Sequence, residues 1–494
     1  MKKNFVIYAC AALALCGQTA CSDFLEEDTR GKVFSNVLAE QSGLESALTG
    51  AYTGWSSTWA YGFTNGWATE TTLGGDDLTC PPGTGNTQEF DRFDVKDTNS
   101  SIPSVFQGCY KAIQGANNVL ENYQSCSGDP AVIEQIAAEA LFIRAASYFW
   151  LVRMHGEVPL VLSSEYNEAN VTMEKATVRA IYDRIERDLT DAIKVLPDAR
   201  RNGEDGRPNK GTALALLAEV YLAEAGWPLK ETDKYSLAAS TAKQVLDNRA
   251  LYGFDFEDSY DVLYGNDESD PNIINKEDIW VIPCNRSTGH GNAMYAYWAY
   301  PGEIGGWDVV FAELTFYNEF PEGPRKDATF ALEFTSQDGT HFTWQQLANP
   351  RPYYRKLMQD PASSNFFNSE SNIPMRMLRF SQTALTYAEA KARSGEGVDA
   401  LAYECLNTIR TRAGLPTYSG LSAEDFANKC VDERAWELCG ERVRWFDLVR
   451  LEILADVVAK RDPADNPPIN AITEDVYLFP IPEHDGLLNP SLNN

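Results

Sequence analysis

Residues 381–414 predict two helices that pack closely against each other. The segment SQTALTYAEAKARSG is followed, after a glycine turn, by VDALAYECLNTIRTRAG. Ala388 and Ala400 lie twelve residues apart across that turn, and small residues at this spacing let the two helices of a tetratricopeptide-like pair approach closely. Several such pairs stack into a curved solenoid. The pattern therefore predicts a mainly α fold, built as a tetratricopeptide-like helical-repeat superhelix.

Other segments show the same helical pattern. Apolar residues in 131–156 recur three and four positions apart, which is the spacing of a buried helical stripe. Residues 211–226 are apolar on nearly every side, so this helix should be enclosed by neighbours. Ala218 and Ala238 suggest a second pair, in which an eight-residue insertion containing AGWPL lengthens the connection. Further helices are predicted at 104–123, 177–196 and 431–454.

Two regions interrupt the helical pattern. Residues 53–102 are rich in Gly, Thr and aromatic side chains, and residues 252–374 contain Pro, Gly and Tyr throughout. Loops of this length are usually functional or disordered, and the aromatic content argues against disorder. We therefore expect an irregular, loop-rich second lobe on the helical scaffold. The predicted division is a signal peptide at 1–20, a tether at 21–40, a helical-repeat region at 41–250, a ligand-binding lobe at 251–374 and a C-terminal helical region at 375–494.

The N-terminus has the order of residues found in a secretory signal. Lys2 and Lys3 precede the apolar run FVIYACAALALC, and the chain then becomes small and polar. Ala20 stands before Cys21, which fits the lipid acceptor of a bacterial lipoprotein; the alternative is an ordinary signal peptide cleaved nearby. The apolar run is too short to span a bilayer. A lipidated chain would work beside a membrane without crossing it.

Charge and motif content argue against several classes of function. The net charge of −29 repels phosphate backbones, which argues against nucleic-acid binding. Neither HExxH nor GxSxG occurs, and the lysine of GRPNKGT at 206–212 is misplaced for a phosphate loop. Seven cysteines follow Cys21 at scattered spacings without a CxxC pair, so neither a disulfide framework nor a zinc site is predicted. No cofactor is expected, although the acids of 266–270 could offer oxygen ligands to a structural calcium ion.

The segment RWFDLVR at 444–450 is interpreted as scaffold. A stripe at helical spacing should be buried at Ala435, Cys439, Val443 and Phe446. Charged residues on its flanks can form ion pairs, namely Arg442, Arg444, Asp447 and Arg450. Glu219 and Glu389 stand among alanines on buried helices, where each should bond to an arginine or to a helix end.

The loop-rich regions hold two concentrations of aromatic residues, WSSTWAYGFTNGW at 55–67 and MYAYWAYPGEIGGW at 294–307. A flat ring on a rigid loop can lie against the apolar face of a sugar while nearby polar groups bind the hydroxyls. Trp298, Tyr300 and Trp67 are the preferred platform, because Gly, Pro or small residues beside each would leave a ring face open. The further candidates are Tyr295, Tyr297, Trp307 and Trp59. Most of the ten rings in these two stretches are expected to pack in the core, and about two to four of them to face a ligand.

The chain resembles the SusD/RagB family in five segments that occur in the family's order. They are YKAIQGANNVLENY at 110, RAASYFWLVRMHGEVPLV at 144, ALALLAEVYL at 213, ERAWELCGERVRWFDLVR at 433 and VYLFPIPEHDGLLNP at 476. The ending SLNN departs from the family's usual Gln-Asn-Pro-Gly-Tyr close. The resemblance implies an outer-membrane lipoprotein that faces the cell exterior, anchored by a palmitate-type lipid at Cys21. It also implies capture of a nutrient, usually a glycan, for a SusC-like TonB-dependent transporter.

Three functions of different class follow from these observations. The first is a non-catalytic binding subunit of a nutrient importer with a glycan or oligosaccharide ligand, or with peptides in a RagB-like version. The second is a lipid-anchored glycoside hydrolase that uses an acid pair. The third is a helical scaffold that binds only protein. Adjacent acids such as Asp76 and Asp77 are poor acid/base partners, since neighbouring side chains in a strand point to opposite faces.

Overall fold

The computed structural model describes residues 37–61, 64–270 and 273–493. Cys21, the predicted signal peptide and most of the predicted tether lie outside the described residues, as does Phe63. Within the described ranges, no helix has both the length and the apolar character that a membrane crossing requires.

A series of long helices forms the frame of the described chain. They are α1 (Gln41–Trp59), α2 (Ile102–Asn122), α3 (Pro130–His155), α4 (Val178–Val195), α5 (Lys210–Glu224), α6 (Lys234–Asp247), α7 (Phe380–Arg393), α8 (Ala400–Arg412) and α9 (Ala423–Leu438). From α1 to α7 each helix packs against the next, and α7 also packs against α8 and α9. The predicted mainly α class is confirmed.

Local sequence explains where these helices begin and how closely they pack. Asp129 caps α3 by accepting a hydrogen bond from the Ala131 backbone N at 2.9 Å. Asn209 and Thr212 form a reciprocal capping box at the start of α5. At the contact between α1 and α2, a Cβ on Gly54 would lie 2.7 Å from the Ala112 backbone N. Any larger residue at this position would push the two helices apart.

The chain leaves the superhelix after α6 and returns at α7. Over the whole of the described residues, the strands pair as five two-stranded antiparallel sheets. The pairs are β1 (Leu78–Thr79) with β5 (Phe311–Ala312), β2 (Val158–Pro159) with β3 (Lys175–Ala176), β4 (Asp278–Ile282) with β10 (Met375–Arg379), β6 (Phe330–Ala331) with β9 (Tyr353–Tyr354), and β7 (Glu333–Thr335) with β8 (His341–Thr343). Because β4 contacts α5 and β10 leads directly into α7, this pair ties the inserted region to the superhelix.

Short helical segments complete the described chain. The α-helical ones are Thr64–Glu70, Asn86–Asp91, Glu168–Val171, Arg249–Tyr252, Tyr260–Tyr264, Leu314–Glu319, Pro324–Thr329, Arg444–Arg450, Leu454–Val458 and Glu483–Leu488. Single 3₁₀ turns occur at Tyr123–Ser125, Arg201–Gly203, Arg286–Thr288, Gly302–Ile304, Trp344–Gln346, Arg355–Leu357, Glu474–Val476 and Pro490–Asn493, and Met294–Trp298 forms a π-helical turn.

Most predicted helices are found, with one clear exception. The helices expected at 104–123 and 177–196 correspond to α2 and α4. The single helix expected at 431–454 is wrong, because α9 ends at Leu438 and two short helices follow it. Gly440 and Arg442 have left-handed φ angles of 73° and 64°, which an α-helix cannot contain.

The ion pairs predicted for the scaffold segment are largely confirmed. Asp447 accepts bonds from Arg434 and Arg450, both at 2.9 Å. Glu389 pairs with Arg450 at 2.7 Å, and Glu219 pairs with Arg434 at 3.3 Å. Arg442 has no carboxylate within ion-pair distance among the described residues.

A second group of buried charges joins the inserted region to the helices. This interior arginine cluster comprises Arg325, Arg379, Arg410, Arg412 and Lys356 with Glu277, Glu433, Glu437 and Glu441. Glu437 is central, since its carboxylate accepts from Arg412 at 2.8 Å, Arg325 at 3.2 Å and Arg379 at 3.3 Å. Burial alone would raise the pKa of Glu437, but these arginines lower it to about 2.

Candidate functional site

The structure corrects four of the seven predicted ligand-contacting rings. All four are buried, with 3 % or less of their surface exposed: Trp298, Tyr300, Tyr295 and Trp59. Trp59 belongs to α1 rather than to a loop, and its ring centroid lies 4.2 Å from that of Trp150. Small neighbours along the chain do not keep these ring faces open, because the contacts that cover them come from other elements. A sugar therefore cannot lie against them in this structure.

Tyr300 holds the loop in place rather than facing a ligand. Its ring stacks on Phe366 with centroids 4.8 Å apart. Its hydroxyl donates to the Tyr295 carbonyl at 3.1 Å and accepts from the Gln359 backbone N at 3.2 Å. These contacts fix the course of the chain immediately before the turn at Gly302–Ile304.

The three remaining candidates lie at the surface, and we call them the surface ring cluster: Trp67, Tyr297 and Trp307. Trp67 is 38 % exposed and Trp307 is 43 % exposed, while Tyr297 is half-buried. The Tyr297 and Trp307 centroids lie 5.2 Å apart with the rings inclined at 67°. The helix Thr64–Glu70, which carries Trp67, packs against the π-helical turn that carries Tyr297. The three exposed rings thus come from neighbouring elements more than 200 residues apart in sequence, and among the described residues the ring contact within the cluster is that of Tyr297 with Trp307.

Buried groups hold Trp307 in position. Its backbone N donates to the Tyr297 carbonyl at 3.1 Å, and the Asp308 N donates to the Tyr300 carbonyl at 3.0 Å. Buried Trp298 lies behind the indole with centroids 5.5 Å apart. Trp298 therefore supports the exposed ring, although its own face is covered. A ring fixed in this way loses little conformational entropy when a ligand binds.

Polar groups that sequence reasoning missed adjoin the cluster. The Asp308 carboxylate accepts hydrogen bonds from the Tyr353 hydroxyl and the Asn349 amide. Burial and the nearby Glu303 raise the pKa of Asp308, while the two donors oppose the rise. Glu303 accepts from the Ala348 backbone N at 2.6 Å. Asp308 directly follows Trp307, so the only sequence signal for it was its place beside a candidate ring.

A second concave surface was also missed by sequence reasoning. It encloses about 490 Å³, and its wall includes Tyr52, Tyr61 and Trp280. Asp205 and Arg207 lie on its polar side. The ring edge of Tyr61 approaches His290 at a centroid distance of 4.6 Å. Aromatic and hydrogen-bonding groups are therefore combined here as well.

The candidate acids for acid/base chemistry and for calcium binding have partners within the protein. Asp76 pairs with Arg444 at 2.6 Å, and buried Asp77 accepts from the Gly440 N at 2.8 Å. In the 266–270 loop, Glu268 pairs with Arg286 at 2.9 Å, and Asp267 accepts from the Ser269 backbone N at 2.9 Å. Among the described residues, no group of three or more His, Cys, Asp or Glu could hold a metal ion.

Comparison with known families matches both halves of the chain. A family model described as "Starch-binding associating with outer membrane" matches residues 23–222. The model of the SusD family matches residues 307–494. A curated relative, "SusD-like protein P2" of Formosa agariphila, is 26 % identical over 100 % of this chain and 99 % of its own length.

Solved structures share the same fold. A SusD superfamily protein from Parabacteroides distasonis superimposes with a TM-score of 0.77 at 23 % identity, covering 91 % of this chain and 98 % of that one. A structure described as "Laminarin binding SusD-like protein" gives a TM-score of 0.73, also at 23 % identity and with the same coverage.

Proposed function

Since the chain belongs to the SusD/RagB family, we propose that it is a non-catalytic cell-surface protein that captures a glycan or oligosaccharide nutrient. The observation that carries the proposal is the surface ring cluster of Trp67, Tyr297 and Trp307, held on a buried support. A similar fold in a laminarin-binding protein supports the same ligand class. The acidic chain favours a neutral ligand over an anionic one.

The expected affinity is that of a capture protein. Burying roughly 40 Å² on each of three rings, at about 25 cal/mol per Å², contributes about 3 kcal/mol. Association costs at least about 4 kcal/mol. Hydrogen bonds that sugar hydroxyls donate to groups such as Asp308 and Glu303 must therefore supply the rest of the binding free energy. We expect dissociation constants between roughly micromolar and millimolar for short oligosaccharides. Many such sites on one cell would hold a polymer by avidity.

Electrophoresis in gels that contain neutral polysaccharides tests this function. We expect laminarin or another neutral glycan to retard the protein without any release of reducing ends. A carboxymethylated form of the same glycan is the matched control, and it should retard the protein less because like charges repel. Released reducing ends would instead support the hydrolase. Retention by peptides alone would support the RagB-like alternative.

We propose that the protein lies on the outer membrane, lipidated at Cys21, beside a SusC-like TonB-dependent transporter. We expect wild-type protein to incorporate labelled palmitate and to co-purify with a large barrel protein after gentle solubilisation. The variant Cys21→Ala should lose the label and leave the membrane fraction, since the anchor is the acyl chains. Label retained in the variant would contradict lipidation at Cys21, and the absence of a barrel protein from the wild-type sample would contradict the partner.

A further inference from the structure

Two arginines, Arg153 and Arg442, form no ion pair with a carboxylate among the described residues. Arg153 belongs to α3, and Arg442 lies between α9 and the helix Arg444–Arg450. Neither has an acidic side chain within ion-pair distance among the described residues. Both line one cavity of about 80 Å³.

Arg153 is enclosed by aromatic rings. Its guanidinium carbon lies 3.7 Å from the Phe149 ring centroid, 4.0 Å from that of Phe446 and 4.9 Å from that of Trp150. The Nε atom donates to the Phe149 carbonyl at 3.0 Å. Burial lowers the pKa of Arg153 to about 10, so the side chain keeps its charge at neutral pH. The rings stabilise this cation, but they do not neutralise it.

Arg442 is more deeply buried, with 5 % of its surface exposed. One terminal nitrogen donates to the Arg376 carbonyl at 3.1 Å and contacts the Met377 sulfur at 3.8 Å. Its buried Nε has no hydrogen-bond partner among the described residues. The residue also adopts a left-handed φ of 64°, which costs free energy for any residue except glycine.

The acids that line the same cavity are bonded to other cations. Asp447 is shared by Arg434 and Arg450. Glu219 accepts from Gln382, Thr386 and Arg434. Glu441 is paired with Lys356 and Arg379. Thus a protein whose net charge is strongly negative holds an excess of positive charge around this cavity.

The cavity extends to the chain segment that lengthens the connection between α5 and α6. Trp227 and Pro228, from the AGWPL insertion, contribute to its lining, and Pro228 is exposed. The Trp227 indole donates to Glu474 at 3.0 Å and packs edge-on against Tyr477 at a centroid distance of 5.1 Å. The insertion therefore forms part of the cavity wall, and exposed Pro228 places that part of the wall at the protein surface.

We propose that this cavity binds a small inorganic anion, such as chloride or nitrate, which neutralises Arg153 and Arg442. The buried charge of Arg442 is destabilising without a carboxylate partner, and a bound counter-ion removes much of that cost. The cavity volume has room for several water-sized particles, which suits an ion of this size. The anion is a structural ligand, and it stabilises the junction of α3 with the scaffold segment.

Thermal unfolding in matched salts tests the proposal on the whole protein. Chloride-free protein is melted in sodium gluconate, whose anion is much bulkier than chloride, and in sodium chloride at equal ionic strength. We expect the melting temperature to be about 2 °C higher in chloride, because a ligand that binds only the folded state stabilises it. Equal melting temperatures in the two salts would overturn the proposal.

Variants separate this site from general salt effects. Arg442→Gly removes the charge and suits the left-handed backbone, so it should fold and lose most of the chloride-dependent shift. Arg355→Gln, which removes an exposed arginine elsewhere, should keep the full shift. An unchanged shift in Arg442→Gly would contradict the proposal. As a measurement independent of any variant, wild-type crystals soaked in bromide should show an anomalous peak in the cavity, and water alone there would also contradict it.

Discussion

The variant Glu437→Ala is expected to lower the free energy of unfolding by about 3–5 kcal/mol. Its carboxylate is buried and accepts hydrogen bonds from Arg325, Arg379 and Arg412, as well as from the Tyr260 hydroxyl at 2.8 Å. Removing it leaves several desolvated cations around a site with too few acids. Chemical denaturation of the variant and the wild type, followed by tryptophan fluorescence, measures the difference.

A surface glutamate provides the matched control for this prediction. Glu322 pairs with Lys326 at 2.6 Å, but its side chain is 85 % exposed. We expect Glu322→Ala to cost less than about 1 kcal/mol, since water screens the pair. Equal losses in the two alanine variants would show that the interior arginine cluster contributes no more than an ordinary surface pair.

The pH dependence of stability gives an independent test of what Glu437 contributes within the interior arginine cluster. The folded-state pKa of Glu437 is lowered from 4.5 to about 2, since its arginine partners outweigh the effect of burial. A lowered carboxyl pKa adds stability that is fully present above the unfolded pKa and is lost as the pH falls toward the folded value. The stability difference between wild type and Glu437→Ala should therefore shrink between pH 4.5 and pH 2. A difference that stays constant across this range would contradict the assignment.

Local sequence patterns predicted the helical frame, because the periodicity of a helix and the spacing of its small residues involve only residues close together in sequence. Ala218, Ala238 and Ala388 are fully buried, as close helix packing requires. The partner predicted for Ala388 is wrong, because Ala400 is exposed at the start of α8 and Ala402 is the buried alanine there. The scaffold role of Glu389 and Glu219 could also be predicted, since buried acids need partners. The helix break was not predicted, although Gly440 stands just past the end of α9, where a left-handed glycine commonly terminates a helix. Arg442 gives no sequence signal for its own left-handed backbone.

Local sequence patterns could not predict which of the candidate rings are exposed to solvent. Trp298 and Trp307 both lie among small or flexible residues, yet one is buried and the other is exposed. The difference arises from long-range contacts: the π-helical turn directs Trp298 inward, and Trp307 packs over it. The exposure of a candidate ring therefore depends on tertiary contacts. The residues beside the ring in sequence do not determine those contacts.

Replacing Trp307 by alanine is expected to weaken oligosaccharide binding about tenfold, which corresponds to about 1.4 kcal/mol. The indole is the most exposed ring of the surface ring cluster, and it is fixed by Tyr297 and Trp298. Trp307→Phe keeps a ring face and should retain most of the affinity. Isothermal titration with the oligosaccharide of the best-retained glycan measures both variants.

Two further variants decide whether a loss of affinity is local. Tyr166→Ala removes a ring that is 93 % exposed but lies near the C-terminal end of α2, where Ser164 bonds to Glu121. The helix that carries Trp67 bonds through Glu70 to Ser101 at the other end of α2, about 30 Å away. Tyr166→Ala should therefore bind normally. Trp298→Ala, which empties a buried support, should instead lower the melting temperature, since large-to-small core changes typically cost about 3–5 kcal/mol. Unchanged affinity in Trp307→Ala, or an equal loss in Tyr166→Ala, would remove the surface ring cluster as the glycan site.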